Sequence, residues 1–267
     1  MEFRTVLDVE DPGFRIGACE EMLFVGSCFA DKIGARFTDE KFRTIVNPFG
    51  VMYNPASILH TIQRLSSQPD LASVKTAFLT LGTNHVYILK ETGEIVDNCQ
   101  KRPQSLFTEK ELTVDECADY LQQAIDILHA ANPDMRIVLT VSPIRYRKYG
   151  YHGSQLSKAT LLLAVNKVAG ATYFPAYEII NDELRDYRFY ADDMLHPSSQ
   201  AVEYIWQRFS EVYLSPEAKA FIKEWQPLKA ALNHKPFNPE SDEYRQFMDK
   251  TMLKIAELQK KYPNFAV

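Results

Sequence analysis

A thiol, an imidazole and a carboxylate stand at places in this chain where together they could perform nucleophilic chemistry. Cys28 falls in Gly26-Ser27-Cys28-Phe29-Ala30, directly after the apolar run Met22-Leu23-Phe24-Val25. A glycine there permits a tight turn, and the next residues fall at a helix N-terminus. That position lowers a thiol pKa and offers backbone N–H groups to an oxyanion. Asp193-Met194-Leu195-His196-Pro197 precedes a late helical run. An acid three residues ahead of a histidine can hydrogen-bond the imidazole and fix its tautomer, leaving the other ring nitrogen as a base. Two further segments, Asn47-Pro48-Phe49-Gly50 and Gly82-Thr83-Asn84-His85, each follow a strand-like run. Taken singly, every segment has a plain structural reading: a buried cysteine in a small-residue turn, ordinary Asn/Gly/Pro turns, and a helix cap. Arg145, Arg147 and Lys158 are candidate clamps for a carboxylate or phosphate, against the alternative of surface cations paired with acids. Tyr149, Tyr151 and His152 are read as a loop able to wall a pocket or simply to pack.

The elements that must position these residues are short β-type runs alternating with helical patterns. Glu21 to Val25 is the first strand, followed by a helix from about Phe29 to Phe37. Phe42 to Val46 is the second strand, with a helix carrying Ile58, Leu59 and Ile62 after it. Ala77 to Leu81 is the third, and Val86 to Leu89 with Glu94 to Val96 form a small hairpin around Gly93. Thr113 with Glu116 makes a capping box for a helix whose apolar face includes Cys117, Leu121, Ala124 and Leu128. Arg136 to Val141 is a buried strand, Ser157 to Val168 a helix, and Thr172 to Phe174 a fifth strand. Strand–helix–strand repetition argues for one α/β domain, a three-layer α/β/α sandwich with a parallel sheet of about five strands and right-handed crossovers. Residues 1–213 are assigned to it. Residues 214–267 carry two amphipathic stripes, Ala218-Phe221-Trp225-Leu228 and Tyr244-Met248-Met252-Ile255-Leu258, and are read as a helical extension packed on the domain. Two helices cannot bury a core of their own.

The order of the four segments resembles that of the SGNH (GDSL-type) hydrolase superfamily: nucleophile, oxyanion glycine, oxyanion asparagine, then Asp-x-x-His. More narrowly, Gly26 to Ala30 spells the name of the GSCFA family. Asn47-Pro48-Phe49-Gly50, Gly82-Thr83, Val141-Ser142-Pro143-Ile144-Arg145, Ser157-Lys158-Ala159 and Tyr173 through Pro197 also look like that family, so the resemblance covers nearly the whole chain. It implies a flavodoxin-like sheet and an acyl-enzyme, with His196 as general base and then acid, oriented by Asp193. The oxyanion donors would be the N–H groups of Cys28 and Gly50 and the Asn84 side chain. Aligned without gaps on the glycine, Cys28 takes the nucleophile position and Ser27 stands where relatives carry aspartate. A one-residue shift would make Ser27 the nucleophile; Cys28 is preferred because a thiolate is more accessible near neutral pH. His85 stands where many members have aspartate and Tyr146 where a histidine is common. These two and Arg145 are read as substrate-binding positions.

Composition sets the outer limits. With 46% hydrophobic and 24% charged residues the 267-residue chain has globular averages, and a net charge of −5 gives no electrostatic case for nucleic acid or an anionic membrane. Met1-Glu2-Phe3-Arg4 lacks the apolar core of a signal peptide, which argues for a cytoplasmic protein with reduced thiols. The four cysteines form no CxxC pair and no zinc spacing, so no metal is expected, nor an organic cofactor. The expected activity is ester hydrolysis, or acyl transfer to or from a hydroxyl-bearing substrate, a carbohydrate among the candidates; self-association into a homodimer is left open. The rivals are a catalytically silent relative that binds a carbohydrate or partner in the same cleft, and a Cys28 redox sensor. No nearby cysteine in the sequence supports the sensor.

Overall fold

The computed structural model describes residues 3–265. Its frame is β1 (Glu21–Gly26), α1 (Cys28–Asp39), β2 (Arg43–Val46), α2 (Pro55–Ser66), β3 (Thr76–Leu81), β4 (His85–Leu89), β5 (Ile95–Val96), β6 (Phe107–Glu111), α3 (Val114–Ala131), β7 (Arg136–Val141), α4 (Gly150–Val165), β8 (Thr172–Tyr173), α5 (Ala176–Glu178), α6 (Ser199–Tyr213), α7 (Pro216–Leu232) and α8 (Asp242–Lys261). Five strands form one parallel sheet in the order β2-β1-β3-β7-β8. This is the flavodoxin-like arrangement, in which ligands bind at the carboxyl ends of the strands where the winding reverses, between β1 and β3.

The alternation of side chains along β1 explains the layers. Leu23 and Val25 pack with Ile58, Ile62, Leu121, Leu128 and Leu161 of α2, α3 and α4. Met22 and Phe24 face the other way, against Ile33 and Phe37 of α1 and Ile205 and Phe209 of α6. Both faces are therefore covered, as a parallel sheet requires. The capping box forms as expected, with Glu116 N donating to Thr113 Oγ1 and Thr113 N to Glu116 Oε2.

The hairpin differs from expectation in gaining a third strand. β6 pairs antiparallel with β4, which makes a separate three-stranded sheet ordered β5-β4-β6. Its sequence, Phe-Thr-Glu-Lys-Glu, is polar enough to read as loop, because only Phe107 is buried. The helix expected from Ser157 starts earlier, at Gly150, so Tyr151 and His152 lie on its first turn rather than in a loop. In the C-terminal part α7 runs through Pro227, and Phe221, Trp225 and Leu228 pack against Cys19 and, from α8, Ile255 and Leu258. Trp225 Nε1 donates to Asp39 O at 2.9 Å. Buried Glu40 accepts from Gln226 Nε2 at 2.9 Å, from Lys229 Nζ at 3.1 Å and from Arg36. No helix among the described residues is long and apolar enough to cross a membrane.

Gly26 closes β1 where the backbone runs against β3. Its φ is +138°, and a Cβ there would lie 2.1 Å from Thr80 O. Gly26→Ala should therefore destabilise the fold by about 3 kcal/mol or more through combined overpacking and backbone strain. Urea unfolding checks this, and an unchanged midpoint would contradict the packing described.

Candidate active site

The turn from β1 into α1 is held from inside the protein. Ser27 caps α1, accepting from Phe29 N at 3.2 Å, and is fully buried. Its hydroxyl lies 3.0 Å from Thr80 Oγ1 and 2.5 Å from Ser142 Oγ, while its N–H donates to Thr80 Oγ1 at 2.8 Å. Cys28 follows at the first helical position, half-buried, with its N–H bonded to no other described residue. Asn47, at the end of β2, braces the same turn: its Oδ1 accepts from Gly26 N at 2.8 Å and its Nδ2 donates to Asp31 Oδ1 at 2.6 Å.

On the loop before α6, Asp193 Oδ2 lies 2.5 Å from His196 Nδ1. Asp193 Oδ1 also accepts from the backbone N–H of Leu195 at 2.8 Å and of His196 at 3.0 Å. Asp193, rather than its neighbour Asp192, is thus the partner, and Nε2 is left as the basic nitrogen. Lys32, one turn along α1 from Cys28, donates to Pro197 O at 2.9 Å and so fastens the histidine loop to the cysteine's helix. Arg145 fastens it from β7's side, its N–H donating to Leu195 O and its Nη1 to Met194 O, each at 3.1 Å. The Arg145 guanidinium sits among the rings of Tyr151, Tyr190 and Tyr187 at 4.5, 5.3 and 5.7 Å. With Gln155, Arg185 and Tyr187 it lines a cavity of about 260 Å³.

Beneath Cys28 lies a polar floor. Lys158 of α4 is 1% exposed and donates to Gly82 O at 2.7 Å and Ser142 O at 2.8 Å, the carbonyls just past β3 and β7. It is therefore an interior amine and not a surface clamp. The rings of Tyr146 and Tyr177 each stand 5.7 Å from its Nζ. Tyr146 Oη is buried and has no hydrogen-bond partner among the described residues. Gly82 is needed for this closeness, since a Cβ there would meet Tyr53 O at 2.9 Å and Tyr146 Oη at 3.0 Å.

The GSCFA family model matches residues 21–75 and 66–209, and the model of the GSCFA domain protein's C-terminal domain matches 225–267. The chain belongs to the GSCFA family. Comparison with curated proteins finds no match. Similar solved structures include a carbohydrate esterase family 3 protein from Talaromyces cellulolyticus at 12% identity and TM-score 0.41, covering 77% of this chain and 99% of that one. A variant of the acetyl-xylooligosaccharide esterase Axe2 from Geobacillus Stearmophilus aligns at 12% identity and TM-score 0.44, covering 74% and 95%. A family 3 carbohydrate esterase from Clostridium thermocellum aligns at 12% identity and TM-score 0.41, covering 72% and 95%.

Several roles expected of this GSCFA chain are corrected by its geometry. Gly50 N donates to Asn47 O at 2.8 Å inside its own turn, so that N–H is not an oxyanion donor. Gly50 instead provides a φ of +94°. Asn84 is knitted to Leu112, one Nδ2 N–H donating to Leu112 O at 2.8 Å and its backbone carbonyl accepting from Leu112 N at 2.9 Å; its Oδ1 has no partner among the described residues. His85 is 7% exposed, stacked on Tyr149 at 3.6 Å, with Nδ1 3.1 Å from Glu109 Oε1. The helix N-terminus does not prevail over burial at Cys28 either. Burial pushes its thiol up, opposed by the charges of Lys32 and Lys158 and by its own N–H, while Asp31 adds to the rise. Burial also pushes Cys19 and Cys117 up to about 12, as fits packing thiols. Asp193 is held well below the usual carboxylate range by the N–H groups of His196 and Leu195 and by the imidazole.

Sequence reasoning missed Lys32, Asp31, Thr80 and Ser142 as parts of this site. Thr80 and Ser142 carried a signal, as hydroxyl residues at the ends of otherwise apolar buried strands. Lys32 and Asp31 read as an ordinary exposed helix face. Ser27→Ala, which removes a cap and two buried hydroxyl contacts, should destabilise by about 1–3 kcal/mol yet leave Cys28 open to iodoacetamide in the folded protein. Thermal denaturation and peptide mass spectrometry check both halves. Unchanged stability would show that the buried hydroxyl contacts do not hold the turn.

Proposed function

We propose that this protein is an esterase or O-acyltransferase that works through a thioester on Cys28, acting on an ester of a hydroxyl-bearing substrate, with carbohydrate as the favoured class. The observation that carries the reading is the Asp193–His196 pair on a loop that Lys32 ties to the first turns of the cysteine's helix. Cys28 Sγ attacks the acyl carbon, and His196, oriented by Asp193, serves as general base and acid. With the Gly50 N–H engaged in its own turn and one of the two Asn84 Nδ2 N–H bonds given to Leu112 O, the acyl oxygen is assigned to the Cys28 N–H and the Tyr146 hydroxyl. That hydroxyl is buried without a partner among the described residues and pushed well above its ordinary pKa, first by desolvation, so it stays a donor. Arg145 and its tyrosines, bonded to the histidine loop, suit the acceptor side, because aromatic faces stack on sugars and a guanidinium pairs with polar oxygens. No step in this scheme calls for a metal or organic cofactor.

A second reading is a silent relative that binds a carbohydrate or partner in the same cleft. The engagement of the expected oxyanion donor at Gly50 and the raised Cys28 thiol favour it. A panel of p-nitrophenyl and acyl-CoA esters separates the two. Turnover is expected in the wild type, with an acyl adduct on Cys28 by mass spectrometry and neither turnover nor adduct in Cys28→Ala. Asp193→Asn should keep the fold and lower turnover by roughly 10²- to 10⁴-fold, as loss of tautomer control does in related triads. An adduct on Ser27 would overturn the nucleophile assignment, and no adduct with any ester would leave the silent reading.

A further inference from the structure

Lys158 is a buried base-forming group that this scheme does not use. Its position is built: an interior amine on α4 held between two strand-end carbonyls, Gly82 O at 2.7 Å and Ser142 O at 2.8 Å. A neutral amine has two N–H bonds and one lone pair, whereas an ammonium has three N–H bonds and none. The two carbonyls satisfy the neutral form completely and leave its lone pair available. The ammonium form has one N–H over, facing a space bounded by the rings of Tyr146 and Tyr177. Cys28 lies within electrostatic reach of this amine, and the two are joined through the turn, because Ser142 lends its carbonyl to Lys158 and its hydroxyl to Ser27. No side-chain hydrogen bond connects Cys28 Sγ to Lys158 or to His196, whose side chain is 37% exposed on the outer loop.

We propose that Lys158 is the proton partner of Cys28. Resting on the acyl reading above, this divides the work between two bases. As Cys28 Sγ bonds to the acyl carbon, the S–H bond breaks, its proton passes to Lys158 Nζ, and the carbonyl π pair moves onto oxygen. When that pair returns, the C–O bond to the leaving group breaks and the departing oxygen takes the proton back from Nζ. His196 then handles the proton of the incoming water or hydroxyl. Desolvation supports the assignment, drawing Lys158 down to about 7, although a charged thiolate nearby works against this. Lys158 therefore holds its proton below neutrality and offers a lone pair above it. The other groups facing the pair are Asp31 and Lys32 of α1, Tyr53 before α2, and Tyr146 and Tyr177.

Because the thiol and amine share protons, they should titrate as a pair in two macroscopic steps. The test is the rate of Cys28 alkylation by iodoacetamide against pH, read by mass spectrometry on the whole folded chain. The wild type should show a lower step near neutrality and a second above the free-thiol value of about 8.5. Lys158→Met should remove the lower step and slow alkylation about tenfold at neutral pH. The lower step should persist in His196→Asn and in Lys32→Gln. These two variants change exposed or half-exposed side chains, so they remain informative if Lys158→Met does not fold. A wild-type profile with a single step at or above the free-thiol value would overturn the proposal. So would a lower step that disappears with His196 or Lys32. Alkylation needs no substrate: an intact lower step without ester turnover sinks the acyl reading alone, and turnover without the lower step sinks the lysine alone.

Discussion

A chain of buried hydroxyls carries the organisation of this site. Ser27 Oγ stands between Thr80 Oγ1 at 3.0 Å and Ser142 Oγ at 2.5 Å, linking the ends of β1, β3 and β7. Each hydroxyl can both donate and accept, so three of them satisfy one another where no water reaches. The same contact fixes the first turn of α1, since Ser27 is its cap, and so fixes where Cys28 emerges. The glycine before it is obligatory because the strands approach too closely for any side chain. A leucine or alanine at position 27 could bury as well but could not tie three strand ends to one helix.

The electrostatics of the site follow from that burial. A helix N-terminus and two lysines favour the thiolate at Cys28, while desolvation and Asp31 oppose it, and desolvation prevails. The same low-dielectric surroundings draw the Lys158 amine toward neutrality. Burial thus favours the uncharged thiol and the uncharged amine, and it is the attraction between thiolate and ammonium that offsets the cost of moving the proton from one to the other. Asp193 sits in the opposite environment, exposed and held by backbone N–H groups, and its charge is supported rather than suppressed.

Remote parts of the chain bear on this site through α1. At its C-terminal end, Glu40 is fully buried and takes bonds from Arg36, Gln226 and Lys229, so α7 grips the helix whose other end presents Cys28. A buried carboxylate is tolerable only when paired in this way, and removing a partner would leave an uncompensated charge. Lys32, midway along the helix, takes the histidine loop. One element thus carries Cys28, a tether for the Asp193–His196 loop and the anchor for the C-terminal helices.

The sequence by itself determined the layers and the candidates. The continuous apolar run Met22 to Val25, the capping box at Thr113 and Glu116, and the glycines ending β1 and following β3 are local signals, and each appears in the fold where the pattern placed it. The Asp-x-x-His spacing likewise determined its own geometry, because a carboxylate three residues ahead reaches both the ring and its backbone within one turn. What only the tertiary structure decided were roles that depend on burial and on non-local partners. Ser27 and Cys28 are neighbours of similar size, and the difference between them arises from Thr80 and Ser142, 53 and 115 positions away. Gly50 looks like an oxyanion donor until its N–H is seen to be taken by Asn47, and one of the two Asn84 amide N–H bonds is given to Leu112. Lys158 reads as a surface cation, and becomes an interior amine because α4 lays it across the ends of β3 and β7. Desolvation is a property of everything packed around a group, and no spacing within one segment encodes it.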